Sequence, residues 1–381
     1  MNVPKLRFKE FTDEWKKEKF KDFSYYSGKR NRNNLPLIAY SITNTNGFVP
    51  QTEAHNEFGY MKNTDRTAYN IVTSNSFAYN PARINVGSIG YYSGKEDIIV
   101  SSLYEVFKLK NYINDKFIWY WLKSEKLPYW INKLQEGSVR QYFYYDKLCE
   151  TFLYHPSLRE QIKISNTLEL LDKKIELQTK KIEALKLFKL GIKNRMFENG
   201  GNKLKLKDIL SKWKEKNKNG TIKYVESINN KHGFISQLDQ FEDRSVASKD
   251  LKNYYIIRKN VFGYNPSRLN VGSLALKEND TVSVVSPLYE CFTTNQNNKF
   301  LLEWFDSKYF RRGASSKFEG GVRNTLNFSN LCEIEINLPS LEKQDKYASI
   351  LSTFDKKIYL EDEKLNKLNN LKKGLLQKMF V

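Results

Sequence analysis

Arg83 and Arg268 stand in one short pattern that the chain carries twice. The two copies are Tyr-Asn80-Pro-Ala-Arg83-Ile-Asn85 and Tyr-Asn265-Pro-Ser-Arg268-Leu-Asn270. A guanidinium and a carboxamide two residues apart can hydrogen-bond phosphate oxygens or the edges of bases. The bland alternative is a turn, because Asn-Pro favours turn initiation and both side chains can tie such a loop to its own backbone. Arg140 and Arg323 recur in the same way, in Glu-Gly-x-Val-Arg, and carry the same two readings. Catalytic patterns are missing. His55, His155 and His232 fall in no HExxH or other metal-ligand spacing, no GxxxxGK[ST] loop occurs, and no GxGxxG follows a strand. Asn-Pro-Ala-Arg and Asn-Pro-Ser-Arg share Asn-Pro with the Asn-Pro-Pro-aromatic motif of amino-methyltransferases, but lack its second proline and its aromatic ring.

What positions these residues is a duplication. Phe77–Ile89 (FAYNPARINVGSI) and Phe262–Leu274 (FGYNPSRLNVGSL) are identical at nine of thirteen positions, at an offset of 185. The segments from Ser41 and Ser227 match at 186, those from Val100 and Val285 at 185, and those from Glu136 and Glu319 at 183. A near-constant offset over the whole length is the mark of a tandem repeat. Each copy ends in a heptad seam. The first runs Ile164, Leu168, Leu171, Ile175, Gln178, Ile182, Leu185, Lys189, Ile192, Met196. Adding 183 gives the second: Tyr347, Leu351, Phe354, Ile358, Glu361, Leu365, Leu368, Lys372, Leu375, Met379. Seams of this period zip one helix onto another, and polar residues at matched places set register. Each helix would be about 60 Å long. Glu198-Asn-Gly-Gly-Asn202 supplies glycines for a C-cap and turn between the copies.

The runs NIVTS, INVGSIGYY, DIIVSSLYEVFKL and TVSVVSPLYECFT read as strands. Helical stretches are expected near 116–134 and 299–310. The fold class is therefore α+β, with mostly antiparallel sheet and a few helices in each globular part. Cys149 and Cys332 lie in apolar runs that also read as strands, and with Cys291 they form no disulfide framework. A formal net charge of +20, from 63 Lys+Arg against 43 Asp+Glu, points to a polyanion as partner. MNVPKLRFKEF has no apolar leader and no run of about 18 apolar residues occurs, so a cytoplasmic protein is expected.

The layout resembles the specificity (S) subunit of type I restriction–modification systems. Its most specific marks are the paired tails GSVRQYFYYDKLCETFLYHPSLREQIKI and GGVRNTLNFSNLCEIEINLPSLEKQDKY, each leading from an arginine through a Pro to a helix bearing Gln161 or Gln344. The resemblance implies two target-recognition domains, at 1–156 and 198–339, followed by long helices at 157–197 and 340–381 that pair as an antiparallel coiled coil. Each domain would read one half of a split, asymmetric duplex DNA target. Catalysis would come from partners: two methyltransferase (modification) subunits using AdoMet, and two restriction subunits using ATP and Mg.

Residues identical in both halves cannot by themselves read two different sequences. Asn80, Arg83, Asn85, Arg140 and their counterparts Asn265, Arg268, Asn270 and Arg323 are therefore expected to hold phosphate or to shape the scaffold. Base readout is expected where the halves differ, in Ser27–Asn34, Tyr60–Arg66 and Arg244–Lys252, with Arg30, Arg32, Arg66 and Arg244 as candidates. A solvated basic loop is the alternative for each. The aromatic cluster Tyr142–Tyr145 is expected to pack in the core rather than stack on bases, since the second copy has Thr325-Leu-Asn-Phe328 there. No metal site is expected. Two other readings stay open: a stand-alone DNA-modifying enzyme of unrecognised type, and an RNA-binding scaffold.

Overall fold

The computed structural model describes residues 3–54, 65–134, 142–198, 201–230, 232–237, 250–269, 272–318 and 325–381. They divide into two compact units, Met1–Thr179 with Glu363–Val381, and Lys180–Asp362. Each unit holds one globular part and a segment of both long helices, Leu158–Glu198 and Leu341–Lys378.

None of the twenty seam residues is exposed, whereas the positions between them are largely solvated. Leu168 and Leu351, one heptad position in the two copies, are both fully buried. The first helix segment packs with the second in each unit, and the contacts run antiparallel: Asp172 meets Lys372 at 2.6 Å in one unit, and Lys189 meets Asp355 at 2.7 Å in the other. Asp172 and Asp355, like Lys189 and Lys372, are 183 residues apart, so these are one ion pair written twice. A polar seam residue is expensive to bury alone, and each copy offsets that cost with the same partner. Glu361 likewise takes Lys181 at 2.9 Å.

In the first globular part, Ser24–Tyr26, Glu105–Leu109, Ser76–Tyr79 and Ile89–Tyr92 form a four-stranded sheet in that order. The second part repeats it with Leu210–Lys212, Glu290–Thr294, Phe262–Tyr264 and Leu274–Leu276. Both sheets are antiparallel, and both centre on one stacked pair: Phe77 on Phe107 and Phe262 on Phe292, each with ring centroids 5.0 Å apart. Helices Asp115–Lys123 and Asn298–Phe305 close the core. Each is capped by an asparagine, Asn114 or Asn297, that accepts from a backbone N–H three residues on at 2.9 Å. Each part holds more than one sheet. The first part has a further five-stranded sheet with one parallel pair, Ala39–Thr43 beside Ile98–Val100.

Gln161 and Gln344 lock each globular part to its long helix. Gln161 Oε1 accepts from Asn114 N at 2.8 Å, while its Nε2 donates to Pro156 O at 2.9 Å. Gln344 repeats both bonds with Asn297 N (3.0 Å) and Pro339 O (2.9 Å). Both amides are buried, so their bonds form in a low-dielectric site where an unmade bond is costly. After the first long helix, Gly201 sits at φ +63°, and a Cβ there would lie 1.8 Å from Leu338 O; only glycine fits.

Two sequence expectations are corrected. Cys149 and Cys332 lie in short helices, Tyr145–Glu150 and Phe328–Cys332, and are only partly buried. The strands begin later, at Phe152 and Glu335. The run DIIVSSLYEVFKL is two strands separated by a turn at Ser101–Tyr104, and its counterpart breaks likewise at Ser286–Tyr289.

Candidate nucleic-acid interface

The hairpin Ser76–Tyr79/Ile89–Tyr92 is joined by the loop that carries Arg83. Asn80 Oδ1 accepts from Ala82 N at 3.0 Å, Arg83 N donates to Asn80 O at 3.0 Å, and Ser88 N returns to Arg83 O at 3.1 Å. Gly87 closes the loop at φ +93°, in the left-handed region that favours glycine. The second copy is built bond for bond: Ser267 N to Asn265 Oδ1, Arg268 N to Asn265 O, Ser273 N to Arg268 O, and Gly272 at φ +89°. Each asparagine therefore shapes the turn. The arginines do something else. Arg83 and Arg268 are exposed, and neither guanidinium bonds a described residue, so each is presented outward by a rigid loop. Asn85 is exposed beside Arg83.

The chain after the basic Glu-Gly-x-Val-Arg segment straps this loop down, through Phe143 N to Pro81 O and Leu326 N to Pro266 O, both 3.0 Å. Of the aromatic cluster, Phe143 is buried in the core and Tyr145 packs half-buried against it. Tyr145 stacks on Phe107 and shares a 2.7 Å hydrogen bond with Ser24. Tyr142 and Tyr144 stack on each other at 5.5 Å and stay largely on the surface, so the cluster divides between core and solvent.

The divergent candidates come together in part. Arg30 is exposed; its Nη1 donates to Ala68 O at 2.7 Å and to Ser102 O at 3.4 Å, which brings the 27–34 stretch, the segment just after Arg66 and the Ser101–Tyr104 turn to one place. Arg32 is exposed and Arg66 half-buried. Burial and Asp146 push the Glu105 carboxyl up, and Arg30 opposes them. In the second unit, Glu215-Lys216 replaces Lys29-Arg30, and Glu215 is held by both Nε and Nη2 of Arg258. That ion pair lowers the Glu215 pKa, and it went unforeseen because its partners are 43 residues apart. Arg140, Arg244, Asn270 and Arg323 lie outside the described residues.

Each unit also has an open cleft beside its seam lysine. That of the first unit, about 650 Å³, is lined by Tyr40, Tyr92, Trp119 and Tyr120 near Lys372; that of the second, about 950 Å³, by Lys277, Glu303, Asp306 and Arg311 near Lys189. Among the described residues no cluster of three or more His, Cys, Asp or Glu side chains could hold a metal ion, and no helix is long and apolar enough to cross a membrane.

Two copies of one α+β body, each presenting an exposed arginine on a braced loop and each keyed by a glutamine to a long helix, define a duplicated binding scaffold. The family described as type I restriction modification DNA specificity domain matches residues 8–187 and again residues 200–370. Those matches take in most of the chain, which therefore belongs to that family. The chain is similar to the type I restriction enzyme MjaX specificity subunit described for Methanocaldococcus jannaschii, at 27% identity over 168 residues. The match spans 42% of this chain and only 39% of that relative's length. Among solved structures, the S subunit of the type I restriction–modification system from M. genitalium aligns over 100% of this chain and 99% of its own, with TM-score 0.56 at 15% identity. A chain from work on complex assembly and conformational transition of the type I R-M system aligns over 96% and 97%, with TM-score 0.58 at 14% identity. At such identities the likeness speaks for the fold.

Proposed function

We propose that this chain is the sequence-specific duplex-DNA-binding subunit of a type I restriction–modification complex. Each globular part reads one half of a split, asymmetric target. The observation that carries the reading is the repeated arginine loop: the same exposed guanidinium in both units, unbonded among the described residues, on a chain of net charge +20. Shared arginines supply phosphate contacts that set register, and the divergent surfaces around Arg30, Arg32, Arg66 and Arg244 supply base contacts. The chain itself is read as non-catalytic. Two methyltransferase subunits bring AdoMet, and two restriction subunits bring ATP- and Mg-dependent translocation and cleavage, all in the cytoplasm. Family membership, charge and duplication together support duplex DNA over RNA or a stand-alone enzyme.

The test is methylation mapping of a genome that carries this gene with its neighbouring methyltransferase gene, beside a deletion of this gene alone. A split motif with a fixed gap, methylated only when this chain is present, is the expected result. Methylation indifferent to the deletion would sink the reading.

A further inference from the structure

Leu103 and Leu288 occupy one position in the two copies, and they are 71% and 75% exposed. Each sits at the tip of the turn that splits an apolar run into two strands. Neither turn requires a leucine. Ser101 Oγ accepts from Leu103 N at 3.4 Å and Ser101 O from Tyr104 N at 3.1 Å, and Ser286 makes the same two bonds at 3.3 and 3.0 Å. A polar residue would hold the turn equally well and would not leave an apolar side chain in water. Yet both copies carry leucine, while the neighbouring position differs (Ser102, Pro287).

The place of these tips in the sheet says what meets them. Glu105, two residues past Leu103, pairs with Tyr79, and Asn80 opens the Arg83 loop directly after it; Glu290 pairs with Tyr264 in the same way, just before the Arg268 loop. Each leucine is thus at the sheet end that bears the exposed guanidinium. In the first unit Arg30 bonds Ser102 O within the leucine's own turn, and Val86 stands 54% exposed on the Arg83 loop. An apolar tip flanked by cations fits a duplex, where phosphates take the charge and an inserted side chain unstacks or widens a base step. A side chain common to both copies cannot distinguish sequences, and deforming a step does not ask it to.

We propose that Leu103 and Leu288 are apolar wedges that press into the duplex groove at a base step, beside the phosphates held by Arg83 and Arg268. The proposal rests on the duplex-DNA reading above. Its test uses the full chain assembled with its methyltransferase subunits, on duplexes carrying the mapped target with 2-aminopurine at successive steps of each half. Leu103→Ser and Leu288→Ser are expected to weaken binding roughly 10- to 100-fold. The salt slope should stay unchanged, because no phosphate contact is lost. Each serine variant should abolish the fluorescence rise in one half of the target only, and Leu103→Met should retain it. Unchanged affinity and fluorescence in both serine variants would overturn the proposal. So would loss of methyltransferase subunits on sizing with DNA distortion intact, which would make the tips a protein contact. If Arg83→Ala weakens binding while Leu103→Ser does not, the DNA reading stands and the wedge falls. If the unvaried complex ignores duplex DNA, both fall.

Discussion

The two units keep the same frame and fill it differently. Where the second unit buries Lys277 against Glu226 and Ser283, the first has Tyr92, Tyr40 and Ile98 at the corresponding positions, with the tyrosine rings 6.3 Å apart. The helix facing the coiled coil differs too. Tyr120 donates to Asp172, the acidic member of the seam ion pair, at 2.8 Å, whereas its counterpart Glu303 accepts from the basic member, Lys189, at 2.7 Å and from Lys193 at 2.9 Å. What stays the same is Gln161/Gln344, the Asn-Pro loops, the stacked Phe pairs and the leucine tips. Apart from the exposed leucine tips, identity falls where chain must be held in place, and change falls on cleft linings and on the buried pocket around Lys277. The same fold can therefore carry two different reading surfaces on one scaffold.

The sharpest break in this comparison is the buried ion pair. Lys277→Met leaves the Glu226 carboxylate buried without its cation and is expected to destabilise the second unit by about 3–5 kcal/mol, read from chemical unfolding. The double change Glu226→Tyr with Lys277→Tyr rebuilds the arrangement of the first unit and should recover most of that loss. Failure to recover would mean that the two cores are not interchangeable. Gln161→Ala and Gln344→Ala come next, each expected to cost about 2–3 kcal/mol by orphaning buried backbone groups. The two values should be similar, since two bonds are shared, with the loss at Gln344 the larger because its Nε2 also donates to Gln296 Oε1 at 2.9 Å.

A smaller effect is pH-dependent and confined to one unit. Burial pushes the Glu303 carboxyl up, but Lys189 and Lys193 outweigh it, and the net pKa lies below the ordinary glutamate value. A depressed acid contributes stability that is complete above its unfolded pKa, about 4.3, and is lost as pH falls through the lower folded value. Melting of the second unit should show an acid-side loss that Glu303→Gln reduces, and Tyr120→Phe should leave the acid response of the first unit in place. Smallest in energy are Arg83→Ala and Arg268→Ala. Each is expected to leave folding intact, weaken DNA binding across sequences and lower the salt slope by about one.

The frame was legible because it is periodic or repeated. A heptad seam declares its buried face directly, and every seam residue from Ile164 to Met379 is shielded. The duplication placed the Asn-Pro loops in matched positions, although sequence alone could not divide their labour: Asn80 serves the turn and Arg83 faces outward. Other features escaped. KLCETFLYHP read as one strand because apolar composition says nothing of where a helix stops and a strand begins; Thr151 marks that join. The turns under Leu103 and Leu288 had a visible signal, since Pro287 cannot sit comfortably in a central strand. Lys277–Glu226 and Arg258–Glu215 join residues 51 and 43 apart, and no local pattern announces them.

The account turns on two reading surfaces acting separately, and one exchange tests that most directly. Residues 1–150 are replaced by the corresponding part of a relative, and the methylated motif is mapped in cells carrying the methyltransferase subunits. One half of the target should change while the other half stays as it was. A change in both halves would contradict it.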